Sequence, residues 1–575
     1  MMMLKHVACV CAFAVSCLEA APSLQQQIDA MRGKPGAVLT LEPGSHRLPS
    51  GGLVFQGLED VVIEGAGATL IATNPEAGAL HVLGCRRVTF RGFTLDYDPL
   101  PFTQATVTAV DPASMSFEFR LHDGYPAMRE RVVKDGQSVT LLPRIHLFEA
   151  DAHRWKPGAP DYAASKIEKT GPRSGRATLT TDARGFSFIK EGDRIALTTL
   201  SGEAIRIGDG CADLVWEDVT VHAAPFVCFT LRSNENSGVY RRVKILPGPT
   251  PPGATQPRLI SSNADGFNSA YARRGPTLED CEFAFHGDDS VNLHGGLIPV
   301  VAWIDTTTCL AVLPFRNNRI DLLSRDGDAI RFMRAPDYRV ETMRTIRSVE
   351  RLDVDGSPYV ARALAIWGPS GARPVAGSMS VFRIRLNAAV DPSLATEGLF
   401  VDLPALNAPG YVIRNNYFHD HRARGLRIMA GDGLIANNRF ECIKQVAISI
   451  GPEYAFWREA GWVNNVTIED NVIRDVAEGI NTYGPSSYTL GTISLIGHPD
   501  RDSASMPFWA GNQNIIIRNN VIENTPIDGI HVPSSTGVMQ TGNQLKNVSW
   551  LTEPERSEAG SDYGLKLAEP IALNP

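Results

Sequence analysis

Short runs of alternating apolar and polar residues recur along the chain. Each run leads to a polar pair or a glycine and then to a second apolar-x-apolar triplet. "VVIEGAGATL" (Val61–Leu70), "VTFRGFTLDY" (Val88–Tyr97), "LVWEDVTVHA" (Leu214–Ala223), "PTLEDCEFAF" (Pro276–Phe285), "YVIRNNYFHD" (Tyr411–Asp420), "GLIANNRFEC" (Gly433–Cys442), "VTIEDNVIRD" (Val466–Asp475) and "IIIRNNVIEN" (Ile515–Asn524) share the pattern. A period of two marks strands with one buried face. The polar positions Asn416 and Asn438 lie 22 residues apart, and Asn520 and Asn543 lie 23 apart. A β repeat of that length marks a solenoid, in which no coil buries its apolar face alone and coils must stack. The pattern predicts an all-β chain built as a right-handed parallel β-helix. Asn at the bend tolerates a left-handed φ and can hydrogen-bond to the Asn of the next coil. No sustained 3.6-residue period appears, so long helices are not expected.

Two stretches break the repeat, and each reads as a series of short strands separated by turns. They are 103–205 and 296–405, each the size of a small β-barrel domain. The expected organisation is a signal peptide at 1–20, first coils at 21–102, an inserted β domain at 103–205, coils at 206–295, a second insert at 296–405, and last coils at 406–575. Both inserts interrupt the helix next to the acidic motifs. They would serve as lids or braces, or as walls of a site, and their position favours walls.

The chain has 575 residues, too many for one ordinary core, and 43% of them are hydrophobic. Its net charge of −8 argues against a nucleic-acid partner, which needs a basic face. The N-terminus, with Lys5 and His6 before an apolar run and then Leu18-Glu19-Ala20, reads as a signal peptide. It implies export to the periplasm, the cell surface or the medium, and Cys17 offers a minor lipoprotein reading. No apolar stretch is long enough to span a membrane. Six cysteines remain after the leader, scattered and without Cys-x-x-Cys spacing, which argues against a zinc site. Several fall at similar places in the repeat, as small core residues would.

Candidate chemistry sits in "SNADGFNSAYARRGPTLEDCEFAFHGDDSVNLHG". Asp288 follows Asp265 by 23 residues, with Asp289 beside it. That spacing puts all three on adjacent coils about 4.8 Å apart. Crowded carboxylates raise one another's pKa, which is costly for structure and useful for acid–base chemistry. Gly287 would permit the bend that lets Asp288 and Asp289 both face outward. Glycoside hydrolysis uses such a set, one carboxylic acid protonating the leaving oxygen and a carboxylate activating water. Inverting enzymes hold the two about 6.5–9.5 Å apart, a distance that one coil plus side-chain reach can supply. A calcium site or solvated polar turns are the alternatives.

Aligning Phe283 with Phe418 places "RARG" (Arg422–Gly425) one coil beyond the acid pair. Arg424 then falls near Asp289, to bind a sugar hydroxyl or to fix a carboxylate. Asn292 and His294 alternate with apolar residues and share a face. His294 is a candidate donor to sugar or a structural histidine. In "GPEYAFWREAG", Trp457 could stack on a sugar or cap the core, and Glu459 lies beside it.

The chain resembles glycoside hydrolase family 110, the α-1,3-galactosidases. The resemblance lies in "DYDPLPFTQATV" (Asp96–Val107), "ADGF" (Ala264–Phe267), "GDDSVNLHG" (Gly287–Gly295), "RARGL" (Arg422–Leu426) and "WREAG" (Trp457–Gly461), in that order. It implies a parallel β-helix with inserted β-barrels. It also implies removal of terminal α-1,3-linked galactose from blood-group-B-type glycans, by inversion and without a cofactor or metal. The catalytic aspartates fall on Asp265, Asp288 and Asp289, with Asp288 as general acid and the other two positioning water. Asn292, His294, Arg424, Trp457, Glu459, Asp98 and Gln104 are the corresponding substrate-binding candidates. A polygalacturonase-like or α-1,3-glucanase-like β-helix hydrolase, and a non-catalytic glycan-binding β-helix, are the competing readings.

Overall fold

The computed structural model describes residues 22–132, 138–313, 318–335, 338–353, 357–367, 379–454, 457–478, 491–495, 511–532 and 535–548. The expected signal peptide and Cys17 lie outside the described residues. Within them the chain winds into a parallel β-helix of three sheets. Each full coil lays one strand on each sheet. The first sheet runs from Val38–Thr40 to Ser535–Thr541, the second from Gly44–Arg47 to Gln544–Val548, and the third from Leu53–Gln56 to Asp528–His531. Apolar residues of all three sheets point into one continuous core. Aromatic rings stack along its axis: Phe90 lies on Trp216 with centroids 4.2 Å apart, and Tyr240 meets Phe267 edge-on at 4.9 Å. A one-residue slip would turn this whole set outward, so burial fixes the register.

The helix Leu24–Asp29 covers the first coil, burying Ile28 and exchanging hydrogen bonds between Gln25 and the backbone of Val54. It shields an otherwise open sheet edge. No helix among the described residues is long and apolar enough to cross a membrane.

Two closed six-stranded barrels leave and rejoin the coils. The strands of the first run from Phe102–Asp111 to Arg194–Thr198, and those of the second from Ile298–Asp305 to Leu399–Asp402. Each has its own apolar core, around Phe117, Phe119 and Ile195 in the first and Val300, Phe332 and Ile384 in the second. The first barrel fills the turn between the second-sheet strand Thr94–Tyr97 and the third-sheet strand Ile205–Gly208. The second begins where the third-sheet strand Val291–Gly296 ends. The eleven-residue helix Ser357–Trp367, which periodicity did not suggest, belongs to this second insert.

The Asn pairs divide two tasks that the sequence pattern had assigned to one residue. Asn415, Asn437 and Asn519 take the left-handed φ at the bend, near +59°, +55° and +56°. The residue after each turns inward and forms the ladder. The side-chain oxygen of Asn438 accepts from the backbone and side-chain nitrogens of Asn416 at 3.0 and 2.9 Å. Asn471, Asn520 and Asn543 continue it. Cys281 takes the equivalent position in the coil before, its backbone N–H donating to Asn416 at 2.9 Å, and all six described cysteines are free thiols. Asn438 Nδ2 also donates to the carbonyl of Ile413 at 2.9 Å, so its removal strands several buried groups. Asn438→Ala is expected to cost about 2 kcal/mol of stability, measured by denaturant unfolding. An unchanged midpoint would show that the ladder does not hold the coils.

Candidate active site

Three successive turns between the second and third sheets stack in register. The N–H of Gly266 donates to the carbonyl of Asp289 at 2.9 Å, and that of Phe267 to Ser290 at 2.8 Å. Ser290 in turn donates to the carbonyl of Arg424 at 3.0 Å. Strand pairing beyond the turns sets Phe267 against Val291 and Val291 against Leu426. Asp265, Asp289 and Arg424 therefore form one column along the helix axis. The coil step here is 24 residues, one more than the spacing first considered, so Asp289 lies over Asp265 and Asp288 sits one position earlier. Gly287 allows this by the absence of a side chain and not by its φ. A Cβ there would lie 2.5 Å from the carbonyl oxygen of Asn263 in the coil below.

The three aspartates each offer a carboxylate oxygen within 4.8 Å of the others. Their environments differ. Asp289 is fully buried, and Arg424 grips both its oxygens, Nε at 2.8 Å and Nη2 at 2.7 Å, while the Arg424 backbone N–H adds a third bond at 2.9 Å. Asp265 is buried and accepts from Asn268 Nδ2 at 2.8 Å. Asp288 is the acid with access to solvent, its side chain 23% exposed, and it meets Arg422 Nη2 at 2.8 Å and Arg144 Nη1 at 3.8 Å. Burial, then the charges of Asp288 and Asp289, pushes the Asp265 carboxyl well above the usual range. Burial also raises Asp288, against the pull of Arg422 and with the push of Asp289. Both shifts favour holding a proton on the patch, next to a carboxylate locked on an arginine.

Arg424 fixes a carboxylate, the second of the two roles open to it. Asn292 and His294 lie on the outward face of the third sheet, beyond the acids. Asn292 pairs with Asn268 across the strands, and its buried Oδ1 has no hydrogen-bond partner. His294 Nε2 donates to Asn268 Oδ1 over 3.4 Å and faces Glu459 Oε1 at 3.6 Å, and its burial lowers its pKa. Glu459 arrives on a short strand, Glu459–Ala460, antiparallel to Val291–Gly296. Trp457, two residues before it, is half exposed.

Two candidates are corrected. Asp98 lies three rungs from the acid-bearing coil on the second sheet, is two-thirds exposed, and pairs with Arg47 Nη1 at 2.7 Å. Gln104 is fully buried. Its amide donates to the carbonyl of Pro257 at 2.8 Å and meets His122 Nδ1 at 3.0 Å, and its oxygen accepts from the N–H of Leu259 at 3.0 Å. Neither can touch a substrate beside Asp288.

The sequence reading missed Arg422, Arg144, Asp161 and Arg427. Arg422 could have been found, since it sits two residues before Arg424 and so shares its face. Arg144 and Asp161 come from the first barrel, and no spacing rule relates a barrel to a coil. Arg427 is fully buried opposite Asn292, and burial pushes its pKa down to about 10.

Among the described residues the three aspartates are also the set best able to hold a cation. Asp289 has both oxygens on Arg424 and Asp288 has one on Arg422. The two guanidinium groups thus supply the positive charge that a cation would bring.

No protein-family model matches the chain. Alpha-1,3-galactosidase A of Bacteroides fragilis (strain YCH46) is 22% identical over 536 residues, covering 89% of this chain and 77% of that protein. Alpha-1,3-galactosidase B of Bacteroides thetaiotaomicron is 24% identical over 502 residues, covering 80% and 73%. Alpha-1,3-galactosidase A of Streptomyces avermitilis is 22% identical over 534 residues, covering 88% and 77%. Among solved structures, a glycoside hydrolase overlays at a TM-score of 0.38 with 10% identity, over 94% of this chain and 96% of that one. A family 28 exopolygalacturonase of Yersinia enterocolitica overlays at 0.36 with 12% identity, over 91% and 74%. Overlays this loose say nothing of the site. The chain is a glycosidase, by its curated relatives and its acid patch.

Below and beside the acids lies a set of neutral histidines. Burial, first of all causes, pushes His146 to about 3 and His421 to about 4, and holds His286 well below the usual range. Unfolded, each titrates near 6.5. Between about pH 6.5 and pH 4 the unfolded chain therefore binds protons that the folded one refuses, and stability falls as the pH drops. Asp265 and Asp288, raised in the fold, act in the opposite sense over that range but are fewer. The melting temperature is expected to fall steadily from pH 7 to pH 4. A flat profile there would mean that the buried histidines carry protons in the fold.

Proposed function

We propose that this glycosidase removes terminal α-1,3-linked galactose from oligosaccharides of the blood group B type, branched and also linear. The reading is supported most by the asymmetry of the acid patch: one partly exposed acid, its pKa raised by burial, faces solvent, and two buried acids lie beside it. Asp288 is the general acid that protonates the leaving oxygen. Asp265 and Asp289 hold the attacking water between adjacent coils, and the Asp289 carboxylate, ion-paired to Arg424, accepts the proton the water loses as it adds to the anomeric carbon. The galactose lies on the outward face of the third sheet, where the unpartnered Oδ1 of Asn292 suits a sugar hydroxyl and His294 and Glu459 close the far side. Trp457, two residues before Glu459 and half exposed, is the aromatic side chain assigned to a sugar ring.

The nearest carboxylate oxygens, within 4.8 Å, are closer than the range of about 6.5–9.5 Å expected for inversion. Separation alone would suit a covalent route. The bonding opposes that route. Both oxygens of Asp289 are engaged by Arg424, which blunts its nucleophilicity, and the Asp265 carboxyl is biased toward its neutral form. Neither is poised to attack the anomeric carbon, whereas together they can orient a water. Inversion is the stereochemistry proposed.

Incubation with a blood group B oligosaccharide and with linear Galα1-3Gal, followed by proton NMR, tests this directly. β-Galactose is expected first. α-Galactose first would establish retention, and cleavage of polygalacturonate in place of α-galactosides would refute the substrate class. Each single variant Asp265→Asn, Asp288→Asn and Asp289→Asn is expected to lose roughly 10²–10⁴-fold in kcat, the scale of acid–base catalysis. The double variant at 288 and 289 should be little worse than the poorer single, because the acids act as a unit.

Arg424→Ala is expected to lower kcat by roughly 10²-fold with KM nearly constant, since its fork holds an acid and not the sugar. Steady-state kinetics would expose the error if KM rose while kcat held.

A further inference from the structure

The first barrel reaches the acid patch through two charged side chains. Arg144, on the barrel strand Arg144–Phe148, brings Nη1 to 3.8 Å from Asp288 Oδ2. Asp161, just before the barrel strand Tyr162–Gly171, accepts a hydrogen bond from Nη1 of Arg422. The other end of that guanidinium lies 2.8 Å from Asp288 Oδ1, and its Nε donates to the carbonyl of Gly287 at 2.6 Å. Arg422 is therefore pinned on three sides, between an anion of the barrel and the acid of the helix.

We propose that Arg422, clamped by Asp161 of the inserted barrel, is a positioning residue that sets the protonation of Asp288 and so makes the barrel part of the acid machinery. This rests on the reading of Asp288 as the general acid.

Asp288 is faced by Asp289 on its own segment, Asp265 from the preceding coil, Arg422 and Arg424 from the following coil, and Arg144 from the barrel. His146 and Lys444 lie close enough to Arg422 and Asp161 to feel their charge. Burial, and after it the Asp289 carboxylate, favour the neutral form of Asp288, and among the groups opposing them Arg422 acts most strongly. A general acid needs a pKa near the working pH: too high and it does not release its proton, too low and it has none. Arg422 supplies the downward correction, and Asp161 limits it by sharing the guanidinium. Because Arg422 occupies Oδ1, a proton on Asp288 rides on Oδ2.

The two partners then have opposite signatures. Arg422→Gln removes a cation, raises the Asp288 pKa, and moves the basic limb of the kcat/KM profile up by about one pH unit. Asp161→Asn removes an anion, lowers that pKa, and moves the limb down by a smaller amount. Arg422→Lys keeps the charge and leaves the limb near its wild-type place. Profiles of the wild type and these three variants should show that order. Rates that fall at every pH with the limb fixed, or limbs that move the same way in both variants, would overturn the proposal. Asp161 is half exposed, so its variant decides the matter should Arg422→Gln fail to fold. A readout independent of turnover is the change in melting temperature that Asp288→Asn causes in each background, followed from pH 4 to 9, which tracks Asp288 titration by linkage. A wild type that releases no galactose refutes the function proposed above, and the melting comparison then tests the Arg422 clamp by itself.

Discussion

Coil-to-coil backbone hydrogen bonding is the constraint from which the site follows. Each coil repeats about 4.8 Å above the last, and the register cannot slip without turning the core outward. Whatever side chain occupies a given turn is therefore held against its counterpart in the next. Placing Asp265 and Asp289 on that column commits the fold to two like charges at close range, with Asp288 beside them. Isolated, such a patch would oppose folding. The next coil answers it with Arg424, at the same angular position and with three hydrogen bonds to Asp289. The geometry that crowds the acids also delivers the cation that makes the crowding tolerable, and the remaining imbalance is what pushes the Asp265 and Asp288 carboxyls upward.

Much of this was legible in the sequence because a solenoid turns spacing along the chain into distance in space. The period identified the coils, and the acids separated by one coil fell together. Counting from Phe283 and Phe418 placed Arg424 beside Asp289 across an insert of more than a hundred residues. The same rule explains the one-residue error in the coil step. A turn can hold an extra residue without altering the strands, so period alone does not say which of Asp288 and Asp289 lies over Asp265. The barrel residues were illegible for a different reason. Arg144 and Asp161 reach Asp288 through the docking of one folded unit on another, and docking leaves no periodic trace.

The failure of Asp98 and Gln104 as substrate contacts is informative about the segment that carries them. Within the resembling stretch Asp96–Val107, Asp96 forms a buried bidentate pair with Arg258 at 2.7 and 2.8 Å. Gln104 holds Pro257 and Leu259 on either side of that arginine. Asn263 donates to the carbonyls of Pro101, Thr199 and Pro225 at 3.0, 2.9 and 3.2 Å. All of these bonds converge on the excursion that ends at Asp265. A buried pair is costly to break once one partner is removed, so the stretch fixes the path of the chain into the acid turn. Its chemistry is that of a brace: its polar residues engage backbone groups, His122 and the two arginines Arg258 and Arg47.

The two barrels leave the coils at places related to the acids. The first barrel opens from the turn between the second and third sheets, the same edge that carries the acids several coils later. The second opens from the end of Val291–Gly296, the strand that holds Asn292 and His294. Each insertion returns the chain to register: Ile205 pairs with Leu80 as if nothing intervened, and Val412 pairs with Thr277. Closure entropy rises only slowly with the length of an insert, and each barrel has a core of its own to offset the ordering of its residues. The coils therefore tolerate an insert at either place. What distinguishes the first place is that the barrel leaving it returns to the acid turn, where Arg144 meets Asp288 and Asp161 holds Arg422.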